Sequence, residues 1–178
     1  QPILVISHRR SGTHLLIDTL RNNFPVSTQS FLTLEQLYPM VKPSLSRPEF
    51  EGELARERMI VKSHMDVRLI TVPFDPMAEI TEFVETLQKR AKVIYVFRDG
   101  RDVLTSQFFY NAKLGPGPEK IYDFLMTPMK NFSGHRIAYW VFHVGGWIAR
   151  DDVLRLSFEE LLRNPAPVVE KLARWLGL

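Results

Sequence analysis

The chain has 178 residues, of which 45% are hydrophobic and 24% charged, a balance that suits one folded domain with a real core and excludes a disordered chain. Lys and Arg exceed Asp and Glu by only 23 to 20, too small a surplus to coat nucleic acid but suited to a small anionic ligand. Cysteine is absent, which excludes disulfides, thiolate catalysis and cysteine-held metals.

In chain order, Ile3–Ser7 is predicted to be a buried strand. His14–Phe24 is predicted to be a helix, with Leu16, Leu20 and Phe24 four apart on one face. Phe24–Glu51 carries Pro25, Pro39, Pro43 and Pro48 and reads as a long irregular excursion, with one short helix over Leu34–Val41. Met59–Lys62 is a short strand that runs into Ser63 and His64. Ala78–Arg90 is an amphipathic helix, Val93–Phe97 a central strand and Arg101–Asn111 a further helix. Gly115-Pro116-Gly117-Pro118 breaks the chain. Ile121–Leu125 and Gly134–Ala149 read as helices and Val153–Ser157 as a strand; Val168–Leu176 closes the chain as a helix capped by Gly177.

Short apolar strands alternating with helices predict an α/β fold in three layers, a central, mostly parallel sheet with helices on both faces. Ligands in such sheets bind at the carboxyl ends of strands. The chain opens inside a strand without methionine and ends at the close of a helix pattern. A single domain over residues 1–178, trimmed at both ends, is therefore expected. No apolar run reaches membrane-spanning length and no signal peptide is visible, so a cytoplasmic location is expected.

Three charged junctions fall at predicted strand ends. At the first, Ile3–Ser7 runs into His8-Arg9-Arg10-Ser11-Gly12-Thr13-His14. Backbone N–H groups from Ser11 to His14 would face a phosphate at the helix N-terminus, a P-loop-like arrangement. Ser11 and Thr13 add hydroxyls and Arg10 adds charge. The string lacks the GxxxxGK[ST] pattern of a Walker loop, and an ordinary turn with a capping serine is the plainer alternative.

At the second junction Arg98 stands where a strand ends and Ser106 about two helical turns further on, so a guanidinium and a hydroxyl could meet one anionic group. The alternative is a surface ion pair of Arg98 with Asp99 or Asp102. At the third, Lys62 and His64 point to the same side of an extended chain. The imidazole can remove a proton from a hydroxyl while the ammonium stabilises developing negative charge. His8, His14, His135 and His143 read as structural residues satisfied by the backbone. No metal-ligand spacing is present.

Arg10-Ser11-Gly12-Thr13, Lys62-Ser63-His64, Arg98 through Ser106 and Phe158-Glu159-Glu160-Leu161 occur in this order. Together they resemble sulfotransferases that use 3′-phosphoadenosine 5′-phosphosulfate, over nearly the whole chain and most weakly over Phe24–Arg58. The resemblance implies a loop for the 5′-phosphosulfate built from Arg9, Arg10, Ser11, Gly12, Thr13 and His14. It implies a 3′-phosphate grip by Arg98 and Ser106, and Phe158 in place of a tyrosine near the adenine. His64 matches the catalytic base of that family, with Lys62 and Arg10 as cations beside the transferring sulfuryl group.

Three departures stand out. Arg10 replaces the lysine usual in the cytosolic branch and matches carbohydrate-type members. Leu15 replaces a tryptophan that lies against adenine. The C-terminal Arg-Lys-Gly clamp on the 3′-phosphate is absent from these residues.

The implied reaction is in-line transfer of a sulfuryl group to a hydroxyl or amine of a small molecule or glycan, with adenosine 3′,5′-bisphosphate released and no metal required. Two other readings share the fold logic. One is a P-loop kinase-like phosphotransferase, which would need Mg²⁺ and a Walker lysine. The other is a non-catalytic nucleotide-binding module, which the presence of both Lys62 and His64 disfavours. The acceptor site is expected from Phe24–Glu51, Met65–Pro76 and Gly115–Ser133, whose aromatics read equally as core.

Overall fold

The computed structural model describes residues 1–26, 31–37, 47–55, 58–68, 78–129 and 132–178. The strands are β1 (Ile3–Ser7), β2 (Leu32–Thr33), β3 (Ile60–Ser63), β4 (Lys92–Phe97), β5 (Pro128–Met129), β6 (Phe132–His135) and β7 (Leu154–Ser157). Five of them form one sheet in the order β2-β3-β1-β4-β7, while β5 and β6 form an antiparallel pair of their own. Every pairing in the five-stranded sheet is parallel.

The helices are α1 (Thr13–Asn23), α2 (Arg47–Leu54), α3 (Ala78–Arg90), α4 (Gly100–Ala112), α5 (Ile121–Met126), α6 (Arg136–Ile148), α7 (Phe158–Arg163) and α8 (Pro165–Leu176), with a 3₁₀ turn over Leu34–Leu37. A parallel sheet needs cover on both faces, and period-two alternation divides β1 between two cores. Ile3 and Val5 pack with Leu16, Ile17 and Leu20 of α1 and Val168 and Leu172 of α8. Leu4 and Ile6 pack with Phe83 and Val84 of α3 and Trp147 of α6. This is the three-layer α/β arrangement that the strand and helix alternation implies.

The register places the site. Ile6 pairs with Ser63 on one side and Tyr95 on the other, and Ser7 pairs with Val96. The carboxyl ends of β1, β3 and β4 therefore finish side by side, and the residues just beyond them share one edge.

Several boundaries differ from the sequence expectation. Gly134 belongs to β6, so the helix expected from Gly134 begins at Arg136, with the His135 side chain accepting from the Ala138 N–H. Phe158–Arg163 is helical because Ser157 and Glu160 form a capping box. Of the short helix expected over Leu34–Val41, the 3₁₀ turn covers Leu34–Leu37; residues 38–41 lie outside the described residues. Much of the expected acceptor-lining sequence, Tyr38 and Phe74 included, also lies outside them.

Candidate active site at the carboxyl ends of the strands

The loop from β1 to α1 is tightly turned. The Ser11 N–H donates to the His8 carbonyl at 3.2 Å, and the Ser7 and Thr13 hydroxyls meet at 2.5 Å. Arg10 and Gly12 both take left-handed backbone conformations, at φ of 71° and 95°. Left-handed residues in a tight turn let N–H groups converge on an anion. Gly12 is required here twice over, by its φ and because a Cβ would lie 2.4 Å from the Phe158 ring. The Ser11 hydroxyl is buried without a hydrogen-bond partner. An orphaned hydroxyl inside this loop, at the N-terminus of an eleven-residue helix, fits a bound phosphate-type oxygen.

At the second junction Asp99 caps α4 by accepting from the Arg101 N–H at 2.8 Å. Arg98 lies with its guanidinium carbon 4.5 Å from the centre of the Phe158 ring, and Nη2 donates to Asp102 at 3.3 Å. Its Nε is buried and unpartnered. Phe158 thus packs against Gly12 on one side and lies under Arg98 on the other. Among the described residues Ser106 makes no hydrogen bond to Arg98; its hydroxyl accepts from Arg10 Nε at 3.1 Å. The Arg10 guanidinium lies over the Tyr110 ring at 4.8 Å. Arg10 therefore joins the two junctions and turns towards α4.

Lys62 and His64 lie on the opposite side of the loop. Lys62 Nζ sits 5.1 Å from the centre of the Phe31 ring, and burial lowers its pKa, with Glu35 opposing that shift. His64 Nδ1 lies 2.9 Å from the Ser7 carbonyl oxygen and 3.2 Å from the Ser7 hydroxyl. A carbonyl oxygen can only accept, so Nδ1 carries the proton and Nε2 keeps its lone pair. Burial pushes the imidazole down to about 4, and the charges of Lys62, Arg9 and His14 push the same way. His64 is neutral at physiological pH, with the tautomer a base requires.

Arg9, rather than Arg10, is the arginine whose charge acts on Lys62 and His64. His14 is exposed and its ring lies 5.8 Å from that of Phe31. Of the residues expected at the site, the structure groups Ser11, Gly12, Thr13, Phe158 and Arg98 around the first loop. It pairs Arg10 with Ser106, and gathers Arg9, His14, Lys62 and His64 on the third side.

The sequence expectation omits Glu35, and it assigns His143 only a structural role. Glu35 accepts from the His64 N–H and from the Ser63 hydroxyl. His143 is fully buried between Tyr95 and the His64 carbonyl. Neither residue is adjacent in sequence to a charged junction; the packing of the 3₁₀ turn beside β3 and of α6 against β4 brings them there.

The family described as the sulfotransferase domain matches residues 1–178. A 3-beta-hydroxysteroid sulfotransferase of Cavia porcellus is 26% identical over 185 residues, covering 98% of this chain and 58% of the relative. Sulfotransferase 1B1 of Canis lupus familiaris is 26% identical over 190 residues, again covering 98% of this chain and 58% of the relative. A mouse sulfotransferase solved in complex with PAP superposes with a TM-score of 0.65 at 22% identity, covering 99% of this chain and 58% of that one. The chain spans 58% of the length of each of these proteins. The family match runs from the first residue to the last: the chain belongs to the sulfotransferase domain family.

Proposed function

We propose that this chain binds 3′-phosphoadenosine 5′-phosphosulfate and serves sulfuryl transfer to a hydroxyl or amine of an acceptor. One observation carries the reading. His64 is a neutral imidazole with its Nδ1–H tied to the Ser7 carbonyl, and it stands near Lys62 beside a tight loop whose buried Ser11 hydroxyl has no partner. When bound, the nucleotide supplies the sulfuryl group and a phosphate-bearing leaving group.

The chain's own residues would act as follows. The N–H groups from Ser11 to His14 and the orphaned Ser11 hydroxyl hold the 5′ end, helped by the dipole of α1. Arg98 and Ser106 hold the 3′-phosphate. Arg10, already bonded to Ser106, adds its charge on that side. Phe158 lies between the two phosphate positions as a flat surface beside Gly12. His64 Nε2 accepts the proton of the attacking hydroxyl. Lys62 and Arg9 supply fixed positive charge where negative charge builds in the transition state.

A hydroxyl-bearing small molecule is the acceptor class proposed first, because the Cavia porcellus relative is named for a hydroxysteroid.

Calorimetric titration with adenosine 3′,5′-bisphosphate, beside ADP and ATP with and without Mg²⁺, tests the nucleotide site. Metal-independent binding that needs the 3′-phosphate is expected. Preference for ATP with Mg²⁺ would replace this reading with phosphoryl transfer. With turnover in hand, His64→Ala should lower kcat by about 10²-fold or more, and an unchanged kcat would remove His64 as the base.

A further inference from the structure

The main chain of His64 is held from both sides by side chains drawn from distant elements. Its N–H donates to Glu35 Oε1 on the 3₁₀ turn, and the same oxygen accepts from the Ser63 hydroxyl at 3.2 Å. Its carbonyl lies 3.2 Å from His143 Nε2 on α6. Because that carbonyl can only accept, Nε2 of His143 is the protonated nitrogen. Nδ1 of His143 then accepts the Tyr95 hydroxyl, at 3.0 Å from β4. Tyr95 and His143 are both fully buried.

A buried tyrosine–histidine pair is costly unless each polar atom finds a partner, and apolar residues of like size would fill the same core. The pair ends on one target, the carbonyl of the residue read as the base. Glu35 ends on the neighbouring amide. The second Glu35 oxygen is buried with no hydrogen bond, and its charge acts on Lys62.

We infer that Glu35 and His143 are positioning residues that clamp the His64 main chain, so that Nδ1–H stays on the Ser7 carbonyl and Nε2 stays free to take a proton. This rests on the reading of His64 as the base. Neither residue touches the reacting atoms; both act through the orientation of His64. Other charged and titratable groups near the imidazole are Lys62 on β3, Arg9 and His8 after β1, and His14 on α1. None of these bonds to the His64 main chain among the described residues.

The test is ring-nitrogen NMR on the chain labelled with ¹⁵N-histidine at pH 7, with the His64 signals assigned by loss in His64→Gln. In the wild type, His64 should show a single neutral tautomer protonated at Nδ1. His143→Phe and Glu35→Leu each remove one half of the clamp, and each should give a mixture of tautomers. Glu35→Gln keeps an acceptor oxygen and His143→Gln keeps a donor, so both should restore the wild-type pattern in part.

In turnover assays the two disruptive variants should lose roughly 10- to 100-fold in kcat, the scale of a misplaced catalytic group, with nucleotide affinity within about twofold of wild type. A wild-type His64 protonated at Nε2 would overturn the inference without any variant. So would an unchanged Nδ1–H tautomer in either disruptive variant that folds. Failure to bind adenosine 3′,5′-bisphosphate would defeat the nucleotide reading instead and leave the tautomer result standing.

Discussion

Three buried histidines cluster at the carboxyl edge of the sheet, and their burial predicts a fold sensitive to mild acid. The His8 and His143 rings lie 5.3 Å apart, and His143 bonds to the His64 carbonyl. Burial is the main cause that holds His8 at about 4, His64 at about 4 and His143 at about 3, with smaller contributions from neighbouring charge: His64 on His8, Lys62 and Arg9 on His64, and His8 on His143. An unfolded histidine titrates near 6.5. Between that value and the folded-state values, the unfolded chain binds more protons than the folded one. Stability is therefore full above about pH 6.5 and falls as the pH drops through this window.

At pH 5.5, one unit below the unfolded value, each neutral histidine costs about 1.4 kcal/mol and the three together about 4 kcal/mol. That is a large share of the 5–15 kcal/mol a domain typically has (roughly). Asp99, held near about 2 by its hydrogen bonds from Arg101, titrates well below this window. Urea unfolding at pH 7.5, 6.5 and 5.5 measures the effect as a shift in midpoint at constant slope. His143→Gln removes one of the three groups, so the dependence on pH should weaken by about a third, whatever the variant does to absolute stability. A wild-type free energy that changes by less than about 1 kcal/mol between pH 7.5 and 5.5 would refute the neutral cluster.

Three further outcomes follow from the same geometry. Activity should fall below about pH 6 in step with the unfolded fraction seen by circular dichroism, because His64 remains neutral in the folded chain down to about 4; loss of rate with the fold intact would place the His64 pKa higher. Gly12→Ala puts a Cβ 2.4 Å from the Phe158 ring at a left-handed φ, so adenosine 3′,5′-bisphosphate should bind at least about 10-fold more weakly; calorimetry showing wild-type affinity would contradict the loop geometry. Arg98→Ala should weaken adenosine 3′,5′-bisphosphate by about 10-fold or more and ADP far less; equal losses for the two would mean that Arg98 does not read the 3′-phosphate.

The sheet was legible because buried parallel strands read as continuous apolar runs. Ile3–Ser7 is a strand over those same residues, and the strand expected at Val93–Phe97 is longer by only Lys92. The two-residue β2 and β5 carry too few positions to show any period, and they were not legible. The helix after Ser157 did carry a signal, since Ser and Glu three apart make a capping box. Among the site residues, those contiguous in sequence were legible as strings. Glu35 was not, because it meets His64 only through the placement of the 3₁₀ turn beside β3. His143 sits among the apolar residues of α6 and reads as core. It is core, and its two ring nitrogens also join Tyr95 to the His64 carbonyl.

The adjacent arginines show why a motif places a backbone more securely than it places a charge. Arg9 and Arg10 are both exposed on the same short loop, and the resemblance assigns the catalytic charge to Arg10. The left-handed φ of Arg10 is a conformation that costs a non-glycine residue roughly 1–3 kcal/mol. In that conformation its guanidinium reaches Ser106 and the Tyr110 ring, both on α4. Those partners lie about a hundred residues away and are invisible in the local string. Arg9 is left as the arginine whose charge bears on Lys62 and His64. The loop sequence thus specifies the backbone turn, while partners elsewhere in the fold decide which way each arginine's charge is directed. Replacing each in turn with glutamine separates the two: Arg9→Gln should lower kcat with little change in nucleotide affinity, and Arg10→Gln should weaken adenosine 3′,5′-bisphosphate more than ADP. The reverse pattern would mean that Arg10 swings from Ser106 to the sulfuryl side when the nucleotide binds.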